Sequence, residues 1–183
     1  MPVRAPNGTR PRGAARRDAL LDAVLQVVAE AGVEAVTHRR VADAARLPLA
    51  STTYWFESKE QLLTEALERA ADRDLERLRA LLGETSEGTS DPIRLAVDAI
   101  LGPSPDSGQT TRGLLLATYT LMLEAARRPA LRKVMRRWTD AYMDALPPLL
   151  AAADGLLVDQ LASDDASDLA PRLRRLAEAL VTA

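Results

Sequence analysis

The sequence has 183 residues, 47% of them hydrophobic and 3% aromatic, which is enough to bury a sizeable core; no β-branched run alternates with polar residues, so helices are predicted. The absence of cysteine excludes disulfide bonds, a thiol nucleophile and a zinc finger. The net charge is −2, but the charges are unevenly distributed. Residues 1–59 carry nine Lys and Arg against six Asp and Glu, whereas the rest of the chain carries 15 against 20. This distribution favours an N-terminal part that contacts phosphate.

The first residues divide into an arm and a helix. Residues 1–14 are rich in Pro, Gly and Arg and are predicted to form a disordered basic arm. From Ala15 to Ala31 apolar residues recur at helical spacing, and Gly32 follows as a helix end.

The chain has no apolar run of about 18 residues and no apolar stretch typical of a signal peptide. A membrane partner is therefore not expected, and a cytoplasmic location is favoured.

Residues 37–63, THRRVADAARLPLASTTYWFESKEQLL, predict two short helices, a tight turn and the start of a long helix. Thr37 suits the N-cap of the first short helix. Pro48 lies after its end, because proline disfavours the α conformation of the preceding residue and has no amide to donate. Ser58 and Gln61 match the capping box that opens the long helix. Two short helices across a tight turn are typical of the helix-turn-helix, whose second helix lies in the major groove of DNA.

A pattern of residues runs through this stretch: Thr37, Arg39, Val41, Ala42, Ala45, Leu47, Ser51, Tyr54, Trp55, Phe56, Ser58, Lys59, Glu60 and Leu62. Because of these residues, the stretch from about Ala19 to Leu67 resembles the DNA-binding region of TetR/AcrR-type transcriptional regulators. Arg46 and Ala50 stand where that family usually has glycine, and a left-handed residue costs arginine about 1 kcal/mol more than glycine. Thr53 stands where tyrosine is frequent. The resemblance implies a DNA-binding N-terminal part and a ligand-binding, dimerising C-terminal part.

The rest of the chain is predicted to be helical, with two loops. A helix from Lys59 to about Leu82 is too long for the N-terminal part alone and is expected to link the two parts. Loops are predicted at 83–90 and 102–109, around a helix at 92–101. The segment 111–127 is apolar around nearly its whole circumference, which predicts burial or a cavity-lining helix. The last three predicted helices span 129–145, 149–161 and 169–181.

The predicted DNA-binding residues lie mainly on or beside the second short helix: Arg16, Thr37, Arg39, Leu49, Ala50, Ser51, Thr53, Tyr54, Trp55 and Lys59. The short hydroxyl side chains of Ser51 and Thr53 can reach base edges or phosphates. Leu49 and Ala50 open the helix, where they can meet thymine methyl groups.

Three successive aromatic residues end this helix. By resemblance to the family, Tyr54 and Trp55 contact the phosphate backbone, and Lys59 resembles a phosphate clamp. The alternative is that all three aromatics belong to the core. We favour that reading only for Phe56, because three successive helical residues cannot all point inward. Arg16 and Arg17, at the basic start of the first helix, are expected near the DNA backbone.

The resemblance also implies a small-molecule pocket enclosed by the long helix and the helices near residues 92–145. Its predicted ligand-binding residues are Tyr119, Met122, Trp138 and Tyr142, because aromatic and methionine side chains suit an apolar pocket. An ordinary hydrophobic core remains the alternative for these residues. No cofactor and no metal site is predicted, since one histidine and no cysteine offer too few ligands. The effector itself is unknown.

We therefore predict an all-α homodimer with a disordered arm (residues 1–14), a three-helix helix-turn-helix DNA-binding domain (residues 15–63, the head) and an effector-binding and dimerisation domain (residues 64–183, the body). Its predicted function is transcriptional regulation, with repression at a palindromic double-stranded DNA operator relieved by a small molecule. An enzyme is not expected, because the chain lacks a G-x-S-x-G motif and a Gly-rich phosphate loop. The alternative is a helical DNA-binding or protein-interaction regulator without a small-molecule ligand.

Overall fold

The computed structural model describes residues 10–85, 111–145, 147–163 and 169–181. In these residues the chain forms eight α-helices, and a 3₁₀ turn at Val33–Ala35 joins the first two. The helices are α1 (Arg10–Ala31), α2 (His38–Ala44), α3 (Leu49–Trp55), α4 (Lys59–Thr85), α5 (Thr111–Ala125), α6 (Pro129–Ala145), α7 (Pro147–Ala162) and α8 (Leu169–Val181). The predicted all-α class is confirmed. The predicted helix at 92–101, the loop at 102–109 and residues 86–90 of the loop at 83–90 lie outside the described residues. The first three residues of that loop, 83–85, are instead the end of α4, which is longer than predicted.

Helix α1 begins at Arg10, five residues earlier than the sequence predicted, so residues 10–14 of the predicted disordered arm are helical. The extra turn packs beside Trp55, because a Cβ built on Gly13 would lie 3.6 Å from Cζ2 of the indole ring. At its other end α1 stops at Gly32, whose φ of 76° lies in the left-handed region that glycine adopts without strain. The arm as a separate unit stays a prediction.

The turn between α2 and α3 is a Schellman motif. The amide of Leu47 donates to the carbonyl of Ala42 at 2.9 Å, and the amide of Arg46 donates to the carbonyl of Asp43 at 3.0 Å. This pattern places Arg46 in the left-handed region, with a φ of 55°. The turn therefore has the geometry that glycine favours, although an arginine with a Cβ occupies it.

The start of α4 confirms the N-cap half of the predicted capping box. The Oγ of Ser58 accepts a hydrogen bond from the amide of Gln61 at 3.1 Å. The Gln61 side chain reaches back and accepts one from the amide of Glu57 at 2.7 Å. The first bond satisfies an amide that the helix start leaves without a partner. The second goes to the amide of Glu57, one residue before the N-cap, so the reciprocal bond differs from that of a standard capping box.

One hydrophobic core runs from the head into the body. Helix α1 packs not only on α2, α3 and α4 but also extensively on α5. The shared cluster of buried side chains includes Leu20, Val24, Leu63, Leu67, Ala117, Leu121, Leu131 and Val134. The predicted boundary between residues 63 and 64 falls inside α4 and stays a prediction, but the hydrophobic core crosses it.

Charged side chains fasten α4 to α1. Arg69 pairs with Asp18 at 3.0 Å and with Asp22 at 3.1 Å, and Arg73 pairs with Asp22 at 2.7 Å. All four groups are partly shielded from water, with side-chain exposures of 19–39%. Such pairs lose less to screening than exposed ones do, so they restrict sliding between the two helices.

Of the two predictions for α5, burial and the lining of a cavity, burial does not hold for one face within the described residues. Leu116 and Leu123, seven residues apart on one face, are 37% and 77% exposed. Helices α1 and α6 cover other faces of α5, and no described residue covers this one. A second, smaller cluster forms where α7 meets α8 around Ala153, Leu157 and Leu173.

Two searches of the described residues gave negative results. None of their helices is both long enough and apolar enough to cross a membrane. Within the same residues, no three His, Asp or Glu side chains are grouped so that they could hold a metal ion.

Candidate nucleic-acid interface

Helix α3 has an inner and an outer face. On the inner face Thr52 is fully buried, and its hydroxyl donates to the carbonyl of Leu49 at 2.7 Å. The outer face is formed by the exposed residues Leu49, Ala50, Thr53 and Tyr54. Their i, i+1, i+4, i+5 spacing places them on one side of the helix. The structure thus brings together four of the predicted DNA-binding residues on a single surface, which we call the α3 face.

The three aromatic residues at the end of α3 have different environments. Tyr54 is 77% exposed, whereas Phe56 is 1% exposed, which confirms the prediction that Phe56 is core. Trp55 is half-buried and packs against the main core. Its ring lies edge-on to that of Tyr54, with centroids 4.9 Å apart and planes at 88°. Tyr54 is therefore the aromatic side chain of this group with the most surface available to a partner.

The remaining candidates flank the α3 face. Thr37 and Arg39, at the start of α2, are exposed, and the Oγ1 of Thr37 accepts the amide hydrogen of Arg40 at 3.1 Å, which confirms its role as N-cap. Ser51 is half-buried. Arg16 is exposed at the start of α1.

Arg17 does not reach outward as the sequence suggested. It pairs with Glu65 on α4, and its guanidinium lies 5.8 Å from the centroid of the Phe56 ring. It therefore helps to hold α1 against the end of α3, because a cation over an aromatic face is attracted to it.

Lys59 opens α4 and is already engaged within the chain. Its Nζ donates to the carboxylate of Glu34 at 3.0 Å and lies 3.5 Å from the Glu34 carbonyl oxygen. The hydrogen bond from Lys59 and its charge hold the pKa of Glu34 below its usual value. The Glu34 side chain is 86% exposed, so this ion pair is open to competition from another anion.

A second cation, Arg128, approaches the same carboxylate from the body. It lies in the turn between α5 and α6 and donates to Glu60 at 2.8 Å and to Glu124 at 3.0 Å. Its guanidinium is 3.7 Å from the other oxygen of Glu34. Hydrogen bonds to Glu124 and Glu60 raise the pKa of Arg128. These residues line a cleft of about 440 Å³ between head and body, together with Arg127 and Pro129.

The predicted ligand-binding residues do not form one group. Trp138 and Tyr142 converge on Asp74 of α4, to which Trp138 donates from Nε1 at 2.9 Å and Tyr142 from its hydroxyl at 2.5 Å. Asp74 is also paired with Arg77. Burial and the charge of Asp74 raise the pKa of Tyr142 above its usual value of 10.0. We call this group the Asp74 cluster.

The other two candidates lie elsewhere. The hydroxyl of Tyr119 donates to Asp154 of α7 at 2.9 Å, beside the smaller core cluster. Met122 is partly buried against the main core.

The sequence prediction missed several polar partners. The inward position of Asp74 could have been recognised from the sequence. It lies four residues after Ala70 and four before Leu78, both of which face inward. For Glu34 and Arg128, far apart in sequence, no local pattern indicated that they would meet.

The sequence and the fold of this chain are similar to those of known proteins. The family described as "Tetracyclin repressor-like, C-terminal domain" matches residues 88–183. A TetR family member from Streptomyces coelicolor A3, SCO1917, is 30% identical with a TM-score of 0.70, over 90% of this chain and 97% of that one. The transcriptional regulator SCO7518 from Streptomyces coelicolor A3(2) is 30% identical with a TM-score of 0.63, over 89% and 96%.

A third similar structure contains a ligand. The multidrug binding protein EbrR, solved in complex with ethidium, is 32% identical with a TM-score of 0.64, over 90% of this chain and 98% of that one. The same protein was also solved with malachite green and with proflavin. Among curated proteins, none matches the sequence significantly.

Proposed function

Because the chain belongs to the TetR family of transcriptional regulators, we propose that it represses transcription by binding a DNA operator as a homodimer and that a small-molecule effector releases it. The α3 face supplies the base-reading surface in this proposal. Arg16, Thr37, Arg39 and Lys59 supply contacts to the phosphate backbone, which fix the position of the protein without reading sequence.

The α3 face is the observation that carries the proposal. It combines apolar, hydroxyl and aromatic side chains on one exposed side of a short helix, with Tyr54 77% exposed and Leu49 47% exposed. Large apolar groups left in water are costly unless a partner covers them. The second helix of a helix-turn-helix places such side chains in the major groove, where leucine and alanine can contact thymine methyl groups.

The geometry of B-DNA supports the homodimer in this proposal. One α3 face covers only a few base pairs, and two recognition helices must be about 34–36 Å apart to enter successive major grooves. A two-fold axis between two copies of the chain would match a palindromic operator. An effector that favours a separation of the two heads different from that in the DNA complex weakens DNA binding by its differential affinity for the two states.

Selection from a pool of randomised duplexes tests this function without knowledge of the operator. We expect a palindromic sequence with half-sites about one helical turn apart to be enriched. Fluorescence anisotropy at about 0.15 M salt should then show tight binding to the selected duplex and weak binding to a scrambled one. A pool that yields no common sequence would refute sequence-specific binding.

The two lysines of the chain provide a matched pair for the phosphate contact. Lys59→Ala should weaken binding to selected and scrambled duplexes by the same factor and lower the salt slope by about one contact, or ~0.9. Lys133, the other lysine, is exposed on α6, and Lys133→Ala should change neither quantity. An altered base preference in Lys59→Ala, or equal effects of the two substitutions, would contradict the assignment of Lys59 to a phosphate.

For the effector we propose an aromatic cation that binds at the Asp74 cluster. EbrR binds ethidium, malachite green and proflavin, and here Trp138 and Tyr142 lie against a partly shielded carboxylate. A planar cation could stack on the half-buried ring of Trp138 and replace Arg77 as the counter-ion of Asp74. Helices α4 and α6, which meet at this cluster, would transmit the change to the head.

Thermal unfolding with malachite green tests this site. We expect the unfolding temperature to rise in the wild type, because a ligand that binds only the folded chain stabilises it. Asp74→Asn should reduce the shift. Asp72→Asn, at an exposed aspartate that pairs with Arg137 at 2.6 Å, should retain it. Equal shifts in the two variants would place the dye elsewhere, and no shift in the wild type would favour a regulator without such a ligand.

A further inference from the structure

The carboxylate of Glu34 bridges the head and the body. One of its oxygens accepts a hydrogen bond from Lys59 at 3.0 Å, and the other lies 3.7 Å from Arg128. Lys59 belongs to the start of α4, and Arg128 belongs to the turn between α5 and α6. A single, largely exposed anion thus stands between a cation assigned to the DNA-binding surface and a cation of the body.

We propose that Glu34 and Arg128 are positioning residues that control how much of the charge of Lys59 is available to a DNA phosphate. Glu34 acts as an internal competitor, since its carboxylate occupies the position that a phosphate oxygen would take. Arg128 acts in the opposite direction, because it offers the displaced carboxylate another cation. The inference deepens the proposed function and rests on the assignment of Lys59 to a phosphate contact.

The differences in exposure indicate which group moves. Arg128 is 24% exposed and is held by two carboxylates, those of Glu60 and Glu124. Glu34 is 86% exposed, so its side chain can turn from Lys59 to Arg128 at little cost. When a phosphate reaches Lys59, the Glu34 carboxylate is freed. It then needs to move only from 3.7 Å to hydrogen-bonding distance of the Arg128 guanidinium, which replaces Lys59 as its partner.

The same contact gives the body a means to influence the head. Arg128 follows directly on α5 and precedes α6, the helices that carry Tyr119 and Trp138. A shift of the α5–α6 turn away from the head would withdraw Arg128 from Glu34. The carboxylate would then return fully to Lys59 and compete with DNA. Effector binding could in this way lower DNA affinity by a change of charge pairing at Lys59.

The test measures DNA affinity of the full-length protein by anisotropy, with selected and scrambled duplexes, for single and double variants. Glu34→Gln should raise the affinity for both duplexes about two- to five-fold, which corresponds to the usual range for one exposed ion pair. It should also steepen the salt slope by at most ~0.9, since one further cation is free to meet phosphate. Arg128→Gln should lower both affinities by a similar factor.

The double variant separates the proposed role from a purely structural one. If Arg128 acts through Glu34, Glu34→Gln/Arg128→Gln should bind DNA as Glu34→Gln does. If Arg128→Gln still weakens binding in that background, or has no effect in the wild type, the role proposed for Arg128 is overturned. Arg127→Gln is the matched control and should leave DNA affinity unchanged. The neighbouring Arg127 side chain is 84% exposed, and its contact with Glu124 is long, at 4.0 Å.

Failure of the inference can be told from failure of the proposed function. If Lys59→Ala has no effect on DNA affinity, the phosphate contact itself is wrong. If Lys59→Ala weakens binding but Glu34→Gln does not strengthen it, the contact stands and the competition by Glu34 is refuted. Circular dichroism of each variant at the assay temperature confirms that the folded protein is being compared.

Discussion

Replacing Arg46 by glycine should stabilise the protein. Arg46 has a φ of 55°, and its amide and that of Leu47 close the Schellman turn between α2 and α3. In this conformation the Cβ of an L-residue crowds the following carbonyl, at a cost of about 1–2 kcal/mol. Glycine avoids that cost but has more freedom to lose on folding, which offsets about 0.5–1 kcal/mol. The expected net gain for Arg46→Gly is therefore about 0.5–1 kcal/mol.

Urea unfolding followed by circular dichroism, with linear extrapolation to water, measures this gain. Arg46→Ala is the control, because it removes the charge and the long side chain but keeps the Cβ, and it should leave the free energy of unfolding nearly unchanged. Equal stabilities of Arg46→Gly and Arg46→Ala would refute the explanation from backbone strain. Because the turn already has the glycine-type geometry, Arg46→Gly should also retain the sequence preference of DNA binding.

Three further outcomes follow from the hydrogen bonds and pKa shifts. Thr37→Ala should lower the free energy of unfolding in urea by about 1 kcal/mol through loss of the N-cap, whereas Thr37→Ser should not. Tyr142→Phe should lower it by about 1–2 kcal/mol, because the hydroxyl donates to the charged Asp74. Burial, with the nearby charges of Asp154 and Asp74, raises the pKa of Tyr119 and Tyr142 above 10.0. The folded chain therefore keeps protons that the unfolded chain releases, so stability should fall as the pH rises above about 10. Thermal unfolding against pH should show this loss, and Tyr119→Phe/Tyr142→Phe should reduce it.

Helix starts that are marked by proline or by a short hydroxyl residue could be predicted from the sequence. Helix α6 begins at Pro129 and α8 begins at Leu169, as predicted, and the side chain of Ser58 caps the start of α4. Proline and short hydroxyl residues act on their immediate neighbours, so their effect can be inferred without tertiary structure. The inner face of α4 could be predicted for the same reason, since helical periodicity is a local property.

Features set by tertiary contacts could not be predicted in this way. The extra turn of α1 depends on Trp55, which follows it by more than forty positions. The exposure of Leu123 depends on which faces of α5 its neighbours happen to cover. The division of the proposed ligand-binding residues depends on Asp74 and Asp154, whose partners lie on other helices. Periodicity identifies an inward face but not the element that it meets.

The packing of α1 on α5 has a consequence for how this chain could be recombined. A DNA-reading unit excised at residue 63 would leave the apolar side chains of α1 that meet Ala117 and Leu121 in water. Grafting that unit onto an unrelated sensor would require the sensor to supply a complementary surface. If the α3 face reads DNA as proposed, changing its outward residues would therefore disturb the core less than swapping whole domains.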